Sequence, residues 1–209
     1  RGLGDVYKRQ FEYSGLSEVT LEDGTTNIAE GLFTFCKNLS TINIPSSVTT
    51  INNYAFYGCE SLTSFTIPAN VTTLGAQVFY DSGVTEMFIP KTLKTAGNNT
   101  MSAFEGSNIA KITLEEGIDT ISTAEFTLCK KLTEVNLPST LKTIENSAFQ
   151  GCDALVSITV PYGVISIEGY AFADCAALEK VVIPSSVTSI ATLGGQHIFA
   201  HIKTCLLYT

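Results

Sequence analysis

A frame of about 23 residues returns eight times along this chain, beginning at Leu16, Leu39, Leu62, Val84, Ile109, Leu132, Leu155 and Leu178, in steps of 23, 23, 22, 25, 23, 23 and 23. Residues 132–154 show it in full, LTEVNLPSTLKTIENSAFQGCDA, and residues 39–61 and 155–177 repeat it as LSTINIPSSVTTINNYAFYGCES and LVSITVPYGVISIEGYAFADCAA. Units at a nearly fixed short period cannot each bury a core of their own. They stack, and each touches only its neighbours, which makes a solenoid of about eight coils.

Each unit carries the same local signals. Leu132, Val135 and Leu137 are apolar and Glu134 and Asn136 between them are polar, the alternation of a strand with one buried face. At constant spacing such strands lie side by side in one parallel ribbon. All six prolines (Pro45, Pro68, Pro90, Pro138, Pro161, Pro184) follow that strand directly, where a residue without an N–H ends the ladder and turns the corner. Glu22 and Glu115 take this place in the other two units, with Gly24 and Gly117 two residues on to supply unusual backbone angles. Past the corner, Val48 and Ile51, or Leu141 and Ile144, point back inside. A tight segment such as ENSAFQGC then follows, with room for one or two helical or 3₁₀ turns. Eight of the twelve phenylalanines occupy one phase of it: Phe33, Phe56, Phe79, Phe104, Phe126, Phe149, Phe172 and Phe199. Stacked coil on coil, they form an aromatic spine.

Five of the six cysteines, Cys36, Cys59, Cys129, Cys152 and Cys175, lie three residues before the next unit's first leucine. Residues at one phase point the same way, whereas a disulfide needs converging Cβ vectors, so these read as small buried thiols. No C-x-x-C spacing suggests zinc. The units at 62–83 and 84–108 lack this cysteine. His197 and His201 are four apart, as two metal ligands on a helix face would be, but no third ligand stands nearby in sequence, so no metal or cofactor is expected. Both histidines lie at the least regular end, which leaves no Ser-His-Asp or Cys-His arrangement for the regular coils and makes an enzyme unexpected.

Residues 1–10, RGLGDVYKRQ, and 205–209, CLLYT, have no counterpart in the frame; they resemble translated sequencing-adapter ends of the kind found in metagenomic fragments and are set aside as not native. The remaining segment, 11–204, holds nine lysines, no arginine and nineteen acidic residues, a net charge of −10. Such a surface does not suit nucleic acid or anionic lipid. No run of 18 apolar residues is present to span a bilayer.

The frame, with its IP or LP strand end, its A-F and its C-x-x-L junction, resembles the bacterial BspA-like class of leucine-rich repeats over residues 16–190. The resemblance implies a right-handed solenoid, with parallel strands on one face and short helical, 3₁₀ or irregular segments opposite. It also implies a fragment of a larger secreted or cell-surface bacterial protein that adheres to a host or bacterial surface protein or glycan. Two features depart from the pattern: extra residues near Gly97, Asn98 and Asn99, and a longer last unit from Ile190 to Lys203.

The strand residues that alternate outward form the one continuous surface able to hold a partner. Thr, Ser and Asn dominate it, which suits exposed strands of any function. Phe88 is the exception, an aromatic at a solvent position with Glu86, Thr66 and Thr113 around it, and these four are the candidate ligand-binding residues. Glu86 and Glu134 lie two coils apart with Lys111 between, too far apart for a glycosidase pair. Three functions remain open at this point: a non-catalytic adhesion module, an architectural spacer, or the accessory repeat region of a secreted enzyme whose catalytic domain lies elsewhere.

Overall fold

The computed structural model describes residues 8–97, 101–190 and 204–207, the last four by backbone alone. Residues 1–7, 98–100 (with Asn98 and Asn99 of the insertion), the irregular stretch 191–203 with His197, Phe199 and His201, and residues 208–209 lie outside the described residues.

Alternation does what the sequence predicts. Glu134 and Asn136 are exposed beside the half-buried Val135, and the corresponding Ile112, Ile158 and Val181 are buried. Described strands pair in parallel at one-coil offsets, Glu18 with Thr41, Glu86 with Lys111, Lys111 with Glu134 and Ser157 with Lys180. Thr204–Leu207 pairs likewise with Lys180–Ile183. The described residues make seven complete turns and the first part of an eighth. Every corner closes the same way: the carbonyl at the proline position accepts the N–H three residues on, as in Val48 to Pro45 at 3.1 Å and Leu141 to Pro138 at 3.2 Å. Glu22 and Glu115 accept likewise, at 3.2 Å each, and Gly24 and Gly117 follow with φ of +92° and +104°. Those angles are ones that a side chain resists.

A second parallel ribbon, past the corner, was not anticipated. It is built of two-residue strands such as Thr50–Ile51 and Thr143–Ile144, whose Ile51 and Ile144 are fully buried. It runs in two four-strand pieces, parted between Thr95–Ala96 and Thr120–Ile121, where the extra residues sit. Across the same junction the front strands keep register, Glu86–Ile89 with Lys111–Leu114. The insertion therefore loosens one ribbon and spares the other.

The segment expected to hold short helical turns contains none among the described residues. Alternate N–H groups bond to the next coil instead: Gly31 to Asn53, Phe33 to Ala55 and Phe35 to Tyr57, at 2.9, 3.1 and 2.7 Å. The groups between them close turns within their own coil, Leu32 to Ala29 and Thr34 to Gly31. A helix would commit every amide to its own turn, so half its donors would be lost to the neighbouring coil. Two residues in this segment take left-handed angles to make this possible in every described coil but that of Phe104, where Gly106 alone does. One column of them is Tyr13, Phe35, Gly58, Asp81, Gly106, Leu128, Gly151 and Asp174, with φ between +49° and +70°. Non-glycine residues there cost roughly 1–2 kcal/mol each, offset by the bonds between coils.

The phenylalanine column forms as expected and starts one coil earlier, at Phe11. Rings stack from Phe11 to Phe172 with centroids 5.4–6.1 Å apart, and Phe33 to Phe172 are fully buried. The five thiols are free and buried. Each donates to the carbonyl of a spine phenylalanine one coil back, Cys59 to Phe33 at 3.2 Å and Cys152 to Phe126 at 3.3 Å. In the two units without a cysteine the column is not empty: Ser82 and Ser107 fill it, buried, with hydroxyls that reach no partner. A C–O bond is shorter than a C–S bond, and the carbonyl lies beyond its reach.

Candidate binding surface on the strand face

The outward strand positions are exposed and polar in most coils, Thr41 and Asn43 or Ser157 and Thr159 for example. Phe88 breaks that coat, with 49% of its surface exposed. It lies in a groove of about 300 Å³ lined by Phe65, Glu86, Met87, Phe88, Lys111 and Thr113. Three of the four residues singled out by the sequence, Glu86, Phe88 and Thr113, thus share one groove. Thr66 does not; it lines a neighbouring groove of about 440 Å³, on the other side of Phe65.

Phe65 is the residue that sequence reasoning missed. Its column otherwise holds Val19, Ile42, Met87, Ile112, Val135, Ile158 and Val181, so its size alone was the available signal. The ring packs edge-on to Phe79 at 4.9 Å and tilted on Phe56 at 5.1 Å, a second aromatic layer over the spine. Residues 64–66, where every other complete coil has a front strand, pair with neither neighbour. The expected single ribbon is therefore three pieces, broken around residues 64–66 and again between Glu134–Asn136 and Ser157–Thr159.

Electrostatics sharpen one side of the Phe88 groove. Lys111 Nζ lies 2.8 Å from Glu134 Oε1, and the Asn136 amide donates to Glu134 at 3.0 Å and to the Thr113 hydroxyl at 3.2 Å. The hydrogen bond from Lys111, then that from Asn136, holds the Glu134 carboxyl below its usual range, and the bond to Glu134 raises the Lys111 ammonium. Both side chains are solvent-exposed, so the pair adds little stability. It engages Lys111 with Glu134 rather than with Glu86, its partner across the ladder on the other side, whose charge adds to the pull on the ammonium but whose carboxylate makes none of the ion pairs seen among the described residues. The groove is thus an apolar anchor with an anion at its rim.

Burial pushes the Cys59 thiol up to about 12 and the Cys129 thiol higher still, the reverse of what a nucleophilic cysteine needs. The described residues hold no cluster of metal-ligating side chains and no helix long and apolar enough to cross a membrane.

Similarity to known proteins agrees with this geometry. The chain is similar to a leucine-rich cell surface protein of Faecalibacterium prausnitzii, at 27% identity and TM-score 0.52, covering 96% of this chain and 62% of that one. A leucine-rich repeat protein of Bacteroides ovatus matches at 25% identity and TM-score 0.63, over 88% of this chain and 59% of that one. A Treponema pallidum leucine-rich repeat protein, at 23% identity and TM-score 0.57, shares the fold over 73% of this chain and 69% of its own. The chain spans about three-fifths of the length of the first two. No curated protein matches it. The family of the BspA type leucine rich repeat region matches residues 4–103 and 100–204. The chain belongs to the BspA-type leucine-rich repeat family.

Proposed function

We propose that this chain is a non-catalytic binding module of a bacterial surface or secreted protein, and that it holds a protein partner through the strand face around Phe88. Leucine-rich repeat regions commonly mediate protein binding and are generally without catalytic activity. The F. prausnitzii relative is described as a cell surface protein, which supports the same location here. One observation carries the reading: a half-exposed aromatic ring in a groove, rimmed by Glu86 and by Thr113, on a face that is elsewhere mostly threonine, serine and asparagine with scattered charges. An aromatic anchor in a concave patch with a polar rim is the arrangement in which a few residues dominate affinity. Thr66 would meet the partner from the adjacent groove. A glycan partner is the alternative ligand, and the repeat array is taken as residues 11–204, with 1–10 and 205–209 foreign to it.

The test is an array of extracellular host and bacterial proteins, with a parallel glycan array, probed with the purified chain and with Phe88→Ala. A protein hit that Phe88→Ala weakens by at least about tenfold, a loss of roughly 1.4 kcal/mol, supports the reading. Hits only on glycans would change the ligand class. Binding indifferent to Phe88 and Glu86 would move the site elsewhere, and no binding above background would favour a spacer. The spacer reading draws on the threonine, serine and asparagine coat, which presents little to recognise over most of the face.

A further inference from the structure

The break in the front ladder has a direction. In the strand Thr41–Asn43, Thr41 donates to Ser17 and Asn43 accepts from Leu21, so residues 41 and 43 turn their main chain toward the first coil. By the parity of a strand, Ile42 and Ile44 turn theirs toward residues 64–66. No backbone bond spans that junction, although register would set Thr41 beside Ser64. Behind it the second ribbon stays closed, Thr50 with Thr73, and the spine rings of Phe56 and Phe79 remain stacked at 6.0 Å. The coils are therefore joined at the back, through Ser61 to Lys37 before the strand and through the Asn70 amide to Ser46 after it, and are unpaired only along residues 41–44 and 64–66, where the bulk of Phe65 stands in place of Val, Ile or Met.

The space between is the groove of about 440 Å³, lined by Ile42, Ile44 and Phe65 among polar Thr41, Asn43, Ser64 and Thr66. No charged side chain lines it. It thus offers two kinds of complementarity at once: free N–H and C=O groups spaced every second residue along an edge, and apolar side chains alternating with polar ones. At closed junctions the same edge is met by a strand of the pattern apolar-x-apolar, such as Val135-Asn136-Leu137. A sugar or a helix offers no such row of amides.

We propose that this slot captures an extended peptide segment of a partner protein, which completes the ladder along Ile42 and Ile44 with its main chain. The segment has apolar residues at alternate positions, no charge at its centre, and cationic flanks matched to the chain's net charge of −8. The inference rests on the strand face as the binding surface, but uses residues other than Phe88 and Glu86.

The test uses a fluorescein-labelled peptide of sequence Lys-Thr-Val-Thr-Ile-Thr-Lys, its copy N-methylated at alternate residues, and fluorescence anisotropy. Three proteins are compared: the unaltered chain, Phe65→Ile, and Tyr162→Ser as a control at a distant, 77% exposed side chain. The ladder also parts between residues 134–136 and 157–159, where Val135 and Ile158 are of ordinary size. Phe65→Ile therefore tests whether the ring is what holds the slot open; closure is read as new amide protection at residues 64–66 by hydrogen exchange. Expected results are saturable binding to the unaltered chain and to Tyr162→Ser, and at least about tenfold weaker binding to Phe65→Ile or by the N-methylated peptide. The proposal is overturned by no binding at millimolar peptide, by equal binding to a Phe65→Ile protein whose slot has closed, or by a slot that stays open in that variant. Occupation of the slot by a second copy, seen as a dimer on sizing that the peptide does not dissociate, would also overturn it. The Phe88→Ala array result moves independently of these, so failure of either reading is separable.

Discussion

The turn side and the strand face of this solenoid are built from the same repeat, yet only one of them is continuous. On the turn side, backbone hydrogen bonds cross the junction between coils from Arg9–Glu30 through Gly151–Ala173, and the spine beneath runs unbroken from Phe11 to Phe172. On the strand face the ladder is cut around residues 64–66 and again after Asn136. Cohesion between coils thus resides in the buried columns and the turn ladder. The strand face is left free to part, and to place a phenylalanine in water, without unstacking the array.

The sharpest way to break this contrast is to remove a ring from the middle of the spine. Phe126→Ala should cost about 3–5 kcal/mol, since the cavity lies between two close-packed coils. Urea unfolding would measure it, and a loss below about 1 kcal/mol would show that the spine is not the source of cohesion.

Next in size is a buried carboxyl on the turn side. Glu125 stands where most coils have alanine or another apolar residue; it is 9% exposed and accepts the Ser122 N–H at 2.8 Å. Burial, with the nearby Glu145 charge adding to it, pushes its carboxyl up to about 7 from 4.5. A carboxyl raised on folding favours the protonated folded state. Its contribution is therefore fully present below the ordinary value and is lost as pH climbs through about 7. The loss is on the order of 3 kcal/mol at most. Glu125→Gln should remove that decline and exceed the parent in stability at pH 8, as read by thermal melts across pH.

A smaller gain is expected where the thiol column is interrupted. Ser82→Cys should restore a donor that reaches the carbonyl one coil back and relieve an unpaired buried hydroxyl, adding roughly 1 kcal/mol. A matching loss would mean that the column's geometry differs around Ser82. The smallest effect is set by the strand face: Phe88→Ala should change stability by less than about 0.5 kcal/mol. A loss as large as that of Phe126→Ala would make Phe88 part of the core.

Much of this architecture could be read from the repeat because a fixed period turns spacing into stacking. The phase of Pro138, Phe149 and Cys152 was enough to place a corner, a spine ring and a buried thiol. The absence of helix could not be read the same way, since ENSAFQGC taken alone accommodates a helical turn. What overrides it is the next coil, whose carbonyls take the amides of Ser147, Phe149 and Gly151. The left-handed column was half visible in Gly58, Gly106 and Gly151 and half hidden by Phe35 and Leu128. At the candidate surface, Phe88 was legible because an aromatic at an outward phase stands out. Phe65 was not, because an aromatic at an inward phase passes for core, and its consequence depends on the space the neighbouring rings leave.

Native-state hydrogen exchange tests the division between the two sides most directly. The account predicts that the amides of Phe33, Phe56, Phe126 and Phe149, all bonded across coils on the turn side, exchange only through global unfolding. Those of Ser64, Phe65 and Thr66 should exchange many orders of magnitude faster. Equal protection at the two sets would contradict it, for the front ladder would then be as closed as the back.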